Sequence, residues 1–365
     1  MFKSIRYDRI TLLLLSLIFG IGLIVMYSAS TLQNEDPTFF LKKHAFNSLI
    51  AIASMIFFAH LPHKYLSTAR YFILGLVILM LLISFQFTRA HTSRWIYLFG
   101  FSIQTSDFAK IGLLIFVSDH ISRYFERSEK EPYLNVYLYL TISFVLLLIL
   151  IQPDLSTTVV ITIIILSLCL LGNHKIQHLA YLGSFYLFGG GVYIVNNSYM
   201  LKRLTSHFDA NADKTNEAWQ ATQSLLTLAN GSLFGVGAGN SVAKNFFLPQ
   251  PHTDYIFSVL GEEYGFVGAS ITMLLFLLLF LRGLKIARDS SNQFSMLLAT
   301  GISVSIFIYA IFHIMVVTGL GPVTGLPLPF ISYGGSSLIS NFIMMGILFN
   351  IANQNGSGQT FGNTK

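Results

Sequence analysis

Charge is what this chain has least of. Asp, Glu, Lys and Arg together make up 10% of its 365 residues, where ordinary soluble domains carry about 25%. So little charge argues against a disordered chain, a nucleic-acid reader built on a solvated basic face, and almost any soluble globular fold. Cysteine is nearly absent. Cys169 stands alone, which leaves no partner for an internal disulfide and no cluster for a cysteine-based zinc site. The ten His show no H-E-x-x-H or other metal-ligand spacing. Gly235-Val236-Gly237-Ala238-Gly239-Asn240 lacks the third glycine of a dinucleotide fingerprint and follows no strand pattern, which argues against a nucleotide site. His252 precedes Asp254 by two, but no Ser or Cys nucleophile motif accompanies them.

What is abundant is apolar sequence. Hydrophobic residues reach 53%, with 33 Phe, and the mean hydropathy is +0.65. A helical span needs about 20 mostly apolar residues. Ten segments meet or approach that length: about 11–32, 45–61, 69–88, 107–121, 138–152, 155–172, 176–196, 254–281, 295–318 and 332–352. Only Gln152-Pro153-Asp154 divides the fifth from the sixth, and proline cannot continue a helix ladder, so a tight turn is expected there. The first span has the basic start (Lys3, Arg6, Arg9) and small Ser28-Ala29-Ser30 site of a signal peptide. Its apolar stretch is long for that role and nine more spans follow, so a retained helix is expected.

Basic residues orient the spans. With the N-terminus cytoplasmic, thirteen Lys and Arg fall inside and four in the short outside loops. The bias predicts both termini cytoplasmic. The expected fold class is all-α: a polytopic membrane helix bundle of about ten transmembrane helices. One large extracytoplasmic loop, 197–253, joins helices 7 and 8. Residues 1–352 read as a single domain and 353–365 as a disordered cytoplasmic tail. The unusual polar residues then gather at the outer face.

Several of those residues carry two readings. Asp254 opens the eighth span, where an acid serves as a helix N-cap or as a general base at the membrane surface. Glu262 and Glu263 lie two turns deeper, where each charge costs about 2.5–3.5 kcal/mol to insert. They are partners for a basic residue of the bundle, or one of them, Glu262 by helical phase, shares the aspartate's face. Asp107 and Lys110, spaced i, i+3, form a structural ion pair, or Lys110 faces a phosphate. Arg94 beside Trp95 is a membrane anchor or a functional cation. Asp154 bonds its own turn, or binds a metal or a sugar. Thr318 to Ser337 holds three prolines and several glycines. Non-helical backbone at membrane depth lines a wet cavity or is buried by protein, while Gly334-Gly335-Ser336-Ser337 also suits close helix packing.

Together these pieces resemble the SEDS family of shape, elongation, division and sporulation membrane proteins. The likeness runs along nearly the whole chain. It is strongest at Pro327-Leu-Pro-Phe-Ile-Ser-Tyr-Gly-Gly-Ser-Ser337, at Leu248-Pro-Gln-Pro-His-Thr-Asp254-Tyr-Ile-Phe and at Gly261-Glu-Glu-Tyr-Gly265. The Arg94-Trp95 to Lys110 stretch and Gln152-Pro-Asp154 also match. Three positions depart from the family pattern. Asp107 stands where Glu is usual, one methylene shorter; Gln104-Thr-Ser-Asp107 replaces Gln-Pro-Ser-Glu; and Ser156 replaces Gly.

The resemblance implies a peptidoglycan glycosyltransferase that polymerises lipid II at the outer face of the bacterial cytoplasmic membrane. It places the catalytic aspartate at Asp254. The candidate substrate-binding set is Arg94, Lys110, Asp154, Arg203, Glu262, Ser332, Gly334 and Ser336, with Asp107 and Lys110 as a structural pair. Cations for the leaving pyrophosphate would come from Arg94, Lys110, Lys202 or Arg203, or from a divalent ion, Mg or Mn, although no dedicated metal motif is visible. The implied partners are lipid II, a class B penicillin-binding protein as transpeptidase, and other divisome or elongasome membrane proteins. The glycine wording from Gly235 to Lys244 favours the division (FtsW-like) branch, and the short N-terminus and compact length favour the elongation (RodA-like) branch. A lipid II flippase is the alternative from another class. It would show paired interrupted helices near the midplane, whereas this chain has one strongly interrupted region and outer-face polar residues.

Overall fold

A computed structural model of the protein describes residues 8–30, 39–87, 94–98, 101–126, 132–198, 200, 201, 205, 217–242 and 252–359. Twelve α-helices run through them: α1 (Arg9–Ser30), α2 (Phe39–His60), α3 (His63–Thr68), α4 (Arg70–Ser84), α5 (Thr105–Glu126), α6 (Pro132–Ile151), α7 (Leu155–Leu171), α8 (Ile176–Asn196), α9 (Glu217–Asn230), α10 (Ile256–Arg288), α11 (Gln293–Val317) and α12 (Gly335–Gln359). All ten anticipated apolar segments fall on helices. By length and composition six of them qualify as membrane spans, and Asn135–Ile151 and Leu155–Leu171 are shorter apolar helices. The outside of the bundle is apolar, as a lipid-facing surface must be. Phe72, Leu187 and Phe188 are each at least 75% exposed.

Four elements were not anticipated. Strands β1 (Trp95–Leu98) and β2 (Phe101–Gln104) form an antiparallel hairpin with Trp95 opposite Gln104. Helix α3 turns the chain between α2 and α4. Helix α9 lies within the segment expected to be loop, and it packs on α10 and α11. Helix α12 continues through residue 353 to Gln359, helped by an i, i+4 bond from Gln354 to Asn350 of 3.0 Å. Residues 360–365 lie outside the described residues.

Helix starts follow capping rules. Asp8 accepts from the backbone N–H of Thr11 at 3.0 Å, Asp154 from Thr157 at 3.4 Å and Asn292 from Ser295 at 2.8 Å. Each satisfies a donor that the first helical turn leaves unpaired. The longest helix, α10, is broken. Gly265 has φ 66° inside it, so the N–H groups of Phe266 and Val267 lose the carbonyls of Glu262 and Glu263. The segment 231–237 replaces both sets. Phe266 and Val267 donate to Ser232 and Leu233 at 2.9 and 3.1 Å, while Val236 and Gly237 donate to Glu262 and Glu263 at 2.9 and 3.1 Å. The loop is spliced into the helix, and these four bonds re-pair the groups that the break frees.

Gly235 makes the splice possible. Its φ is +85°, and a Cβ there would lie 2.1 Å from the carbonyl oxygen of Glu263. Gly239 has a similar φ of +81° with nothing within 4 Å of its Cβ position. Gly239→Ala should therefore cost about 1 kcal/mol for backbone strain alone, and Gly235→Ala should cost on the order of 3 kcal/mol more. Thermal unfolding in detergent compares the two variants, and equal losses would mean that the close approach is not what demands glycine.

At the end of the bundle where α1 begins, Asp8 pairs with Arg282 at 2.5 Å. Burial raises the Asp8 carboxyl pKa, but hydrogen bonds from Arg282 and Thr11 outweigh it and hold the group at about 2, below its ordinary 3.8. A depressed carboxylate pKa stabilises the fold above the unfolded value, and that stabilisation is lost as pH falls through the folded value. The Tm difference between wild type and Asp8→Asn should be full above 3.8 and close as pH approaches about 2. A pH-independent difference would remove the ion pair as its source.

Candidate functional site

The other end of the bundle gathers the polar residues. Here α5, α7, α10 and α12 begin and α11 ends. The Gln152-Pro153-Asp154 turn is the first hub. Gln152 is fully buried. Its amide nitrogen donates to the Leu81 carbonyl at 3.1 Å and the Ser84 hydroxyl at 2.8 Å, and its oxygen accepts from Thr105 at 3.3 Å. Asp154 caps α7 and accepts from Gln104 at 3.1 Å and Ser106 at 3.2 Å. Arg94 lies 3.8 Å from the same carboxylate and donates to the Gln152 carbonyl at 3.3 Å. The hairpin thus delivers Arg94 and Gln104 to the start of α7.

Asp107 and Lys110 do not form the contact pair that their spacing suggested. No ion pair of 4.0 Å or less joins them among the described residues. Asp107 accepts instead from Ser336 of α12 at 2.9 Å, and Ser336 accepts from the Gln104 backbone at 3.1 Å. The short aspartate side chain stays near its own backbone and meets the serine there. Lys110, 1% exposed, places its ammonium 4.1 Å from the ring centroid of Tyr309. The two charges still attract across the gap between them.

The second hub is the seam between residues 252–255 and the non-helical segment 322–334. Ser332 donates to the Thr253 carbonyl at 2.8 Å and accepts from the Leu328 N–H at 2.8 Å. The Tyr333 N–H donates to the His252 carbonyl at 2.9 Å, and the two rings meet edge to face at 5.7 Å. Burial lowers the His252 pKa to about 4, so the imidazole is neutral at pH 7. Asp254 sits in this turn. The N-cap of α10 is Tyr255, with no side-chain capping bond of its own, and Asp254 stands one residue before it. Its carboxylate lies beside Gly325, 3.7 Å from where a Cβ would stand. The side chain is half-buried.

Glu262 is corrected. It faces α9 and the glycine loop, accepting from the Asn230 amide at 2.7 Å, from the Ser241 hydroxyl and from the Val242 N–H at 3.3 Å. It clamps the spliced loop through these neutral donors. Glu263 points to α1 and accepts from Ser28. Gly334 contributes backbone, its carbonyl accepting the first ladder bond of α12 from Leu338 at 2.9 Å. Arg203 and Lys202 lie outside the described residues. Sequence reasoning assigned no role to Tyr309, whose one signal was a polar aromatic inside an apolar helix. It also gave none to Gln104 and Gln152, which it quoted only as motif letters.

Comparison with known proteins agrees on one family. The profile of the FtsW/RodA/SpoVE cell cycle proteins matches residues 8–357. Stage V sporulation protein E of Bacillus subtilis (strain 168) is 35% identical over 366 residues, covering 96% of this chain and 98% of that protein. A protein named probable peptidoglycan glycosyltransferase FtsW from Geobacter sp. (strain M18) is 33% identical, covering 95% and 96%. Among solved structures, the fold matches a chain of a peptidoglycan synthase complex studied for coordination of polymerization and crosslinking. The TM-score is 0.79 at 24% identity, covering 96% of this chain and 99% of that one. It also matches the rod shape determining protein RodA of Thermus thermophilus, with TM-score 0.70 at 24% identity, covering 96% and 97%.

The clamp reading of Glu262 is testable. Glu262→Gln turns an amide toward at least one of three donors, so it should lose about 1–3 kcal/mol of stability. The Tm should fall and the 231–242 segment should become sensitive to protease. A substrate-binding role would leave Tm unchanged and raise KM.

Proposed function

The chain belongs to the FtsW/RodA/SpoVE family of cell cycle proteins, and we propose that within it this protein is a peptidoglycan glycosyltransferase that polymerises lipid II at the outer face of the bacterial inner membrane. The observation that carries the reading is the contrast among its acids. Asp107, Asp154 and Glu262 are each 3% exposed or less. Asp254 keeps a half-open carboxylate where two pinned motif segments meet.

In the proposed reaction, the 4-hydroxyl of an acceptor sugar attacks the anomeric carbon of a lipid-linked donor. The new C–O bond forms as the bond to the diphosphate breaks. The hydroxyl proton passes to the Asp254 carboxylate, the anomeric centre inverts, and undecaprenyl pyrophosphate leaves. A positioned base contributes roughly 10²–10⁴-fold. Positive charge for the leaving diphosphate is assigned to Arg94 and Lys110. No three His, Cys, Asp or Glu side chains converge as a metal site among the described residues, so no step is derived through a divalent cation.

The septal, division role is supported by relatives named FtsW along 95% of the chain. A class B penicillin-binding protein is the proposed partner, supported by the fold's likeness to a chain of a complex that couples polymerization to crosslinking.

Polymerisation of lipid II by the purified protein with such a partner, read on a glycan-length gel, tests the base. Asp254→Asn should abolish chains, a loss of at least about 100-fold, and leave Tm and membrane insertion nearly unchanged. Equal chains from both proteins would remove Asp254 as the base. No chains from either, with lipid II crossing vesicle membranes, would favour a flippase.

A further inference from the structure

Tyr309 sits in the outer third of α11, 2% exposed. Buried tyrosines normally find a partner for the hydroxyl. This hydroxyl has none among the described residues. It lies within electrostatic reach of Asp107 and Asp154, yet neither accepts from it. One oxygen of Asp107 accepts from Ser336, and those of Asp154 accept from Gln104, Ser106 and the Thr157 backbone.

The ring of the same residue carries Lys110, whose ammonium stands 4.1 Å from the centroid. A cation held on an aromatic face is attracted without being neutralised. It keeps its N–H donors, which a contact with Asp107 would have consumed. What the protein leaves over at this point is one ammonium and one phenolic O–H. Both can donate to one acceptor. That is the chemistry of an anion site. The two nearby carboxylates would repel an anion, but Arg94 stands 3.8 Å from one of them and Ser336 donates to the other.

We propose that Tyr309 is a further substrate-binding residue: its ring seats Lys110, and its hydroxyl donates to the same phosphate oxygen of a lipid-linked diphosphate that Lys110 receives. This rests on the glycosyltransferase reading and names where that substrate's charged group is held.

The alternative is a core tyrosine with a surplus hydroxyl. Tyr309→Phe separates the two, because it keeps the ring beneath Lys110 and removes only the hydroxyl. An unpaired buried hydroxyl is a burden to the fold, so Phe should hold or raise the Tm without ligand. It should weaken binding of undecaprenyl pyrophosphate, read as ligand-induced thermal protection, by about tenfold, the size of one hydrogen bond to a charged group. The kcat/KM for lipid II should fall in parallel. Tyr309→Leu, which removes the seat as well, should weaken binding further.

Undecaprenyl pyrophosphate carries the diphosphate and no sugar, so this binding is measured apart from the base chemistry. Wild type that binds it without polymerising lipid II would overturn the base reading and leave Tyr309 standing. Phe that binds and polymerises as wild type does would overturn the proposal, as would wild type that does not bind the probe. The same dependence on Tyr309 with inorganic pyrophosphate, and none with the lipid, would overturn the lipid-linked source.

Discussion

A helix that breaks inside a bilayer must find new partners for the backbone groups it exposes, because lipid supplies none. In this protein that requirement falls on α10 at Gly265, and residues 231–237 meet it with four hydrogen bonds. The rest of the site depends on the solution. The half-helix from Ile256 to Tyr264 carries the 252–255 turn at its start, so its direction sets where Asp254 stands. That direction is fixed by a loop contributed from some thirty residues upstream. Glu262 holds the loop down from one side through Asn230, Ser241 and Val242. Glu263 ties the same half-helix to Ser28 of α1. The two adjacent acids, expensive to insert, serve as the fasteners of the break.

A second non-helical stretch, 322–334, obeys the same rule by a different route. Its serine, Ser332, bonds to the backbone of Thr253 and Leu328. His313 of α11 bonds the Leu326 carbonyl at 2.8 Å. One residue into α12, Ser336 reaches Asp107 of α5 and the backbone of Gln104. The segment is therefore a strap that touches both hubs, the Asp254 turn through Ser332 and Tyr333 and the Asp107–Lys110 face through Ser336. Displacing the strap would disturb the proposed base and the proposed diphosphate cations together.

Much of this architecture was legible in the sequence, because burial in lipid makes helices long and apolar. Ten apolar runs marked ten helices, and the Gln152-Pro153-Asp154 turn was visible from its proline. Motif wording located Asp254, Arg94, Asp154 and Ser336. What stayed hidden were partners set by tertiary structure. Helical phase put Glu262 on the aspartate's face, but Asn230 and Ser241 come from a segment that lacked any apolar signal. The i, i+3 rule paired Asp107 with Lys110, and a serine more than two hundred residues away won the aspartate. Helix α9 was missed because its polar, amphipathic sequence reads as loop. The glycines at 235, 237 and 239 failed a nucleotide pattern, and what Gly235 does fit, close approach to a broken helix, involves residues far along the chain.

The depth of each acid also decides what it can do. A buried charge is tolerated when several donors surround it. Asp154, with Arg94, Gln104, Ser106 and the first turn of α7, meets that description. So does Glu262 in its clamp. A general base must instead take up a proton and release it in every turnover, and release needs contact with water or product. Depth would favour proton uptake but trap the proton afterwards. A carboxylate at the half-open rim escapes that conflict, provided its position is fixed. Backbone contributes to the fixing here. The carbonyls of His252 and Thr253 accept from Tyr333 and Ser332 on one side, and the spliced half-helix holds the other. Rigidity is placed in the main chain around Asp254, the residue proposed to take the proton.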